Sequence, residues 1–575
     1  MKMKRLAAVL AMLLSLSTLG SCGILGGLGG GNSSGSSSSS SEVETDPLAF
    51  VNVLGAQGAK TLATDETLSM DVNKDITGRN YIKVSVKTDV HLYGEFVYAN
   101  VNNETQVVTE EFFIEASDGT TVVEFKQFLD SYRANAKGKF DKILKKVTLT
   151  NKSETEGNVT VTDISVSGRE IPAFEQELYV EKGAIKVGAD LATGGALTYL
   201  ERLYYYDENG VKQTVDEVIS NEDEVEIGVN AKADCKQALS SNVNLINIYD
   251  AGRQFQQSYY ANVGGTSADT HEKMVANGCY EGKLPADYGA NGYERGWCTT
   301  ADKQGYYWPY NPVQGGDCAC NPSQIIDYEV TDNQLYFKTR AMDWAKGDDG
   351  RGLKGTVVGG VTTKSYMENW YTVKADIVYV TNRFIDWNGF VDLENVPLHS
   401  NELPAAYVVH PLHNYVCYTG SYPWTDGELE WQSELGSWVV KANRNYDPAE
   451  DWFAWVNDEG FGVGVYIPNT DVYVSGRSNA SVHKDYSGNK NAYNSPMADP
   501  NKYQYNKPNA TSPWQSCYTG NTCYTAPVVS WTMKSYIPMT YQYAMSVDYL
   551  PVMRAQFNDI YESGTMLNDE LHSWD

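Results

Sequence analysis

A chain of 575 residues is long enough for two or three domains. Its formal net charge is −28, and no lysine- or arginine-rich stripe relieves that charge. Composition therefore argues against nucleic acid or an acidic membrane surface as a partner.

In chain order, Met1-Lys2-Met3-Lys4-Arg5 is a short basic start, followed by an apolar run from Leu6 to Leu19. The run is too short to span a bilayer comfortably and reads as a signal peptide. It ends in Leu19-Gly20-Ser21-Cys22, which resembles the bacterial lipobox. That resemblance implies removal of 1–21 and a diacylglycerol thioether on Cys22. Residues 22–45 are dominated by glycine and serine and read as a flexible tether. The expected location is extracytoplasmic, with the N-terminal lipid as the sole membrane contact. Gly31-Asn32-Ser33-Ser34-Gly35 matches a hydrolase elbow by letter only, because no strand or helix flanks it.

Residues 46–172 read as short strands and turns. Tyr81–Val86, Lys146–Thr150 and Val159–Val166 alternate with period two, and Thr121–Asn135 opens as a strand. A β-sandwich accessory domain is expected, similar in layout to the jelly-roll modules found beside carbohydrate enzymes. Asp71-Val72-Asn73-Lys74-Asp75 imitates a calcium loop, but Ile76 and Ile82 stand where glycine and glutamate are required. Glu170-Ile171-Pro172-Ala173 reads as a linker.

A second block, 178–575, opens with Ile185–Leu200, two strands around Gly194-Gly195. This resembles the opening hairpin of the galactose-mutarotase-like β-supersandwich, a fold of sugar epimerases and of parts of glycoside hydrolases and polysaccharide lyases. Later segments agree: a long candidate strand Ser365–Phe384, a hairpin of Trp452–Val456 and Gly462–Tyr466, and a short helix over Tyr549–Glu562. The stretch 475–525 reads as a surface loop stapled by cysteines. The expected fold is all-β, a jelly-roll-like sandwich followed by a large supersandwich.

With Cys22 lipidated, eight of the nine cysteines remain, an even number that suits disulfides in an exported chain. Cys517 and Cys523 close a short loop and form the simplest pair. Neither C-x-x-C pairs nor metal-binding histidine spacing is present, and P-loop, H-E-x-x-H and dinucleotide patterns are lacking. Neither a metal nor a cofactor is expected.

Three stretches concentrate chemistry. Asp250–Tyr260 packs an arginine, three glutamines and two tyrosines together, and as a strand it would set Arg253, Phe255, Gln257 and Tyr259 on one face. Arg253, Gln256, Gln257 and Tyr259 could bind sugar hydroxyls and a ring face; alternatively Asp250 and Arg253 form a structural pair. Tyr306–Asp317 is an irregular aromatic loop, in which Trp308, Tyr310 and Gln314 could form a sugar platform or simply pack together. Third, His399 and Glu402 are followed by His410 and His413. Tyrosine at 41 and tryptophan at 13 supply rings with polar edges, which suit both strands and sugar faces.

Cleavage of a glycosidic bond needs two carboxylates across a cleft, about 5 Å apart for retention and roughly 6.5–9.5 Å for inversion. Asp250, Asp317 and Glu402 are the candidates, with Glu430 and Glu434 behind them. Elimination from a uronate would instead use Tyr259 or His399 as base with Arg253 as neutraliser. The acidic body repels polyanions, so a neutral polysaccharide or oligosaccharide is the better partner. The fold resemblance thus implies a surface-anchored carbohydrate-active protein, a glycoside hydrolase first, with a non-catalytic glycan-binding lipoprotein or a polysaccharide lyase as alternatives.

Overall fold

The computed structural model describes residues 46–129, 142–169 and 177–214 except 208, then 244–246, 254–259, 311–316, 323–343 and 362–387. Beyond these it describes strand segments between 293 and 307, most of 399–432, 445–446, 449–467, 477–483, 522–531 and 535–564. From Pro47 onward the chain forms one compact unit.

The N-terminal part is a sandwich of two antiparallel sheets. One contains Val51–Leu54, Lys60–Leu62, Tyr81–Thr88, Val123–Phe128 and Gly157–Ser167; the other contains Thr67–Asp75, Leu92–Asn100, Asn103–Ile114 and Lys142–Asn151. The period-two pattern puts Ile82, Val84, Val86, Phe96, Tyr98, Val147, Leu149, Val161 and Ile164 between the sheets.

The larger part has two main sheets. A nine-stranded antiparallel sheet runs in the order Gln324–Val330, Gln334–Arg340, Ser365–Lys374, Ile377–Asp386, Met539–Tyr549, Phe461–Tyr466, Trp452–Val456, Asn414–Cys417 and Glu430–Gln432. A seven-stranded sheet centres on Gln256–Ser258, His399–Val409 and Thr522–Trp531. The main core includes Phe337, Met367, Tyr371, Val380, Leu403, Trp455 and Tyr543. The all-β class and the sandwich-then-larger-body layout are as expected from sequence.

Two sequence expectations change. The stretch Ser365–Phe384 is a hairpin, because Ala375 and Asp376 adopt left-handed φ values of 51° and 62° and turn the chain back. The stretch 475–525 includes the strand Arg477–His483, paired with Thr522–Trp531. The expected hairpin over 452–466 forms, and the helix spans Leu550–Ser563, ending on Gly564 in the left-handed region.

The outer face of the nine-stranded sheet is divided. At one end the helix packs Leu550, Met553, Phe557 and Ile560 on Trp452, Ala454 and Tyr466. At the other end Ile326, Tyr366, Ile385 and Trp387 join the core of the N-terminal sandwich. Tyr366 donates to Gln127 at 3.0 Å, and Arg340 donates to the Glu111 carbonyl at 3.2 Å.

Candidate functional site

The site is built by strand alternation. In Ser365–Lys374 the side chains of Met367, Tyr371 and Val373 enter the main core. Tyr366, Glu368 and Trp370 therefore lie on the outer face. Register extends that face: Asp327 stands opposite Lys338, Lys338 opposite Glu368, and Glu368 opposite Arg383. A row of alternating charge crosses four adjacent strands at about 4.8 Å per strand, an arrangement in which opposite charges support each other. Beside it Tyr336 faces Trp370, with ring centroids 5.1 Å apart.

The facing wall belongs to the N-terminal sandwich: Phe113–Ala116, where Asn103–Ile114 ends, and Val122–Lys126, where Val123–Phe128 begins. Between the walls is a groove of about 660 Å³, within the range of small-ligand sites. Its carboxylates are Glu115, Glu124, Asp327 and Glu368, and its cations are Lys126, Lys338 and Arg383. Lys126 lies 3.5 Å from Asp327, Lys338 3.9 Å from Glu368, and Lys83 3.1 Å from Glu124. Arg383 is paired with Glu115. The Tyr336 hydroxyl donates to Glu368 at 2.7 Å. The Lys338 ammonium also sits 4.8 Å from the Tyr366 ring centre and 5.3 Å from that of Phe125.

Burial pushes the Arg383 pKa down to about 9, which still leaves it charged at neutral pH. Burial and then the Glu368 charge hold the Tyr336 hydroxyl well above its ordinary value, so it stays a donor. Behind the wall, His91 Nδ1 accepts the Ala116 N–H at 3.0 Å. Burial first, then the Arg383 charge, lowers the His91 pKa and keeps the ring neutral. The groove thus offers fixed donors and acceptors in adjacent pairs over a floor of buried rings. Each of its carboxylates has a cation within reach.

Of the residues singled out from sequence, the described ones do not line this groove. Gln256, Gln257, Tyr259 and Gln314 come together, but each is at most 2% exposed. Gln257 donates to the Glu368 carbonyl at 3.1 Å and accepts from Tyr259; Gln314 donates to the Gly194 carbonyl at 3.1 Å; Gln256 accepts the Gly315 N–H at 2.8 Å. Asn369 joins them through Gln314 at 3.3 Å, and Tyr259 stacks on Phe384 with centroids 3.8 Å apart. Expected to meet a sugar, Gln314 in the aromatic loop and the others on their strand, these side chains are buried instead: the three glutamines bond buried backbone, and Tyr259 donates to Gln257. Glu402 is half-buried, opposite Ser258. His399 and Glu430 lie in strands, but their side chains are outside the described residues, as is that of Cys523. Cys22, Asp250, Arg253, Trp308, Tyr310, Asp317, His410, His413, Glu434 and Cys517 are outside them altogether. Among the described residues no group of three or more histidine, cysteine or acidic side chains is placed to hold a metal.

Sequence reasoning missed Asp327, Lys338, Glu368 and Arg383. A signal was present: Tyr366-x-Glu368-x-Trp370 sets a carboxylate between two rings on one strand face, which an ordinary buried face would not carry.

No protein-family model matches the chain, and no curated protein matches it. Among solved structures, a galactose mutarotase related enzyme from Lactobacillus acidophilus aligns with TM-score 0.30 and 9% identity over 65% of this chain and 97% of its own. An alpha-mannosidase from Enterococcus faecalis V583 aligns with TM-score 0.27 and 7% identity over 89% of this chain and 44% of its own. A family 29 carbohydrate binding module solved with cellulohexaose aligns with TM-score 0.16 and 10% identity over 21% of this chain and 92% of its own. At TM-scores this low the likenesses say nothing of what the chain binds.

Proposed function

We propose that this chain is an exported, lipid-anchored glycan-binding protein whose ligand lies in the groove between the N-terminal sandwich and the nine-stranded sheet. The alternating row Asp327–Lys338–Glu368–Arg383 carries this reading. Sugars present neighbouring hydroxyls that donate and accept at once, and charged partners in adjacent pairs answer both roles. The signal segment and the pattern through Cys22 support the anchored location.

The test is a glycan panel, read for binding and for released sugar. Binding without release is expected. Lys126→Gln, on the groove wall, should weaken binding about tenfold, the loss of one charge-assisted hydrogen bond. Sugar release abolished by Asp250→Asn or Glu402→Gln would assign a glycoside hydrolase instead. Binding that is untouched by wall substitutions would remove the groove from the function.

A further inference from the structure

The groove also bears on which glycan is bound and how it lies. Each of its four acids meets a cation: Glu115 with Arg383, Asp327 with Lys126 and with Arg169 from beyond the lining, Glu368 with Lys338, and Glu124 with Lys83 from just beyond the lining. An anionic ligand would need a cation with no carboxylate beside it, and every cation lining the groove already has one. A uronate or sulfate entering the row would meet Asp327 and Glu368 at close range, where like charges repel. A hydroxyl meets no such penalty, since it donates to a carboxylate and accepts from the neighbouring ammonium or guanidinium.

The row also has a direction. It runs perpendicular to the strands, one charged head per strand from Gln324–Val330 to Ile377–Asp386. Strands are about 4.8 Å apart, close to the rise of one sugar unit in an extended chain. Resting on the glycan-binding reading of the same groove, we infer that the ligand is a neutral linear oligosaccharide laid across these four strands, one unit over each. The matched charge pairs are the filter against acidic glycans.

The experiment titrates the full chain, by calorimetry, with neutral linear oligosaccharides of increasing length and with uronate oligosaccharides of the same lengths. Affinity for the neutral series should rise up to about four units and then level off, with uronates of equal length at least about tenfold weaker. Asp327→Asn leaves Lys126 and Arg169, 3.5 and 3.9 Å from the lost carboxylate, without that partner. It should bring the uronate series to within about threefold of the neutral one. Glu124→Gln, which removes the partner of Lys83, should move selectivity the same way and guards against a variant that fails to fold. Uronates binding as tightly as neutral sugars, affinity that stops growing at one or two units, or variants that leave selectivity unchanged would each overturn this inference while the glycan-binding reading stands. Failure of every sugar to bind would remove both.

Discussion

Arg202 is 6% exposed and serves two carboxylates, at 3.0 Å from Asp548 and 3.7 Å from Asp376, while donating to the Val547 carbonyl at 3.0 Å. Removing it leaves Asp548 buried without its nearest cation. Arg202→Met should cost about 3–5 kcal/mol, read as a lower denaturation midpoint. The Asp548 pKa is already raised, by burial first, so the folded state takes up a proton there more readily than the unfolded chain. Protonation relieves the stranded charge, so the deficit of the variant should shrink as pH falls. His91 has the opposite sign. Its pKa is lowered in the fold, so the contribution of the neutral ring is full above about 6.5, the ordinary histidine value. That contribution drains away as pH drops through the lowered value, because the unfolded chain then binds the extra proton more easily. Ala116, which His91 holds, lines the groove. Glycan affinity should therefore fall on acidification, and His91→Gln should flatten that part of the profile.

At the scale of elements, Ala375 occupies a left-handed turn position without the glycine or asparagine that favours it. Ala375→Gly should stabilise the chain by up to about 1 kcal/mol, measured by chemical denaturation. The same residue explains why a hairpin was legible from sequence only as one long strand: Ala375-Asp376 lacks the glycine or asparagine that marks such a turn, and alternation continues through it. At the Gly194-Gly195 turn the signal was explicit. Gly194 has φ +59°, and an added Cβ would lie 2.1 Å from the Gln314 carbonyl oxygen. Gly194→Ala should therefore cost about 1–3 kcal/mol. The helix and the hairpin over 452–466 were legible for the same reason, since Pro551 and Gly460 mark a start and a turn. The candidate groove was not. Polar and aromatic density pointed to Gln256, Gln257, Tyr259 and Gln314, yet amides suit a buried backbone as well as a ligand, and only packing decides between them. The groove residues are dispersed from Phe113 to Ile385, so composition in any one window could not assemble them.

For the whole molecule, the N-terminal sandwich completes its core with Trp387, Tyr366, Ile385 and Ile326 from the larger part. Trp387 is 2% exposed, stacks near Phe113 and donates to Glu111 at 3.3 Å. Trp387→Ala should cost about 3–5 kcal/mol. Because the residue serves both parts, calorimetry should show one shared transition moving down, with glycan binding lost at the same temperature. Two transitions, only one of them shifted, would contradict the shared core.

The groove also has divided parentage. Its floor is encoded by strands within 324–386, its wall by two short stretches within 113–126. If the groove binds a glycan, finer preference can drift through the wall while the charged floor and the large sheet that carries it stay fixed. Under the glycan-binding reading, exchanges at the wall positions outside the sandwich core, such as Glu115, Val122, Glu124 and Lys126, are thus a route to a new preference, whereas Phe113, Ile114 and Phe125 belong to that core.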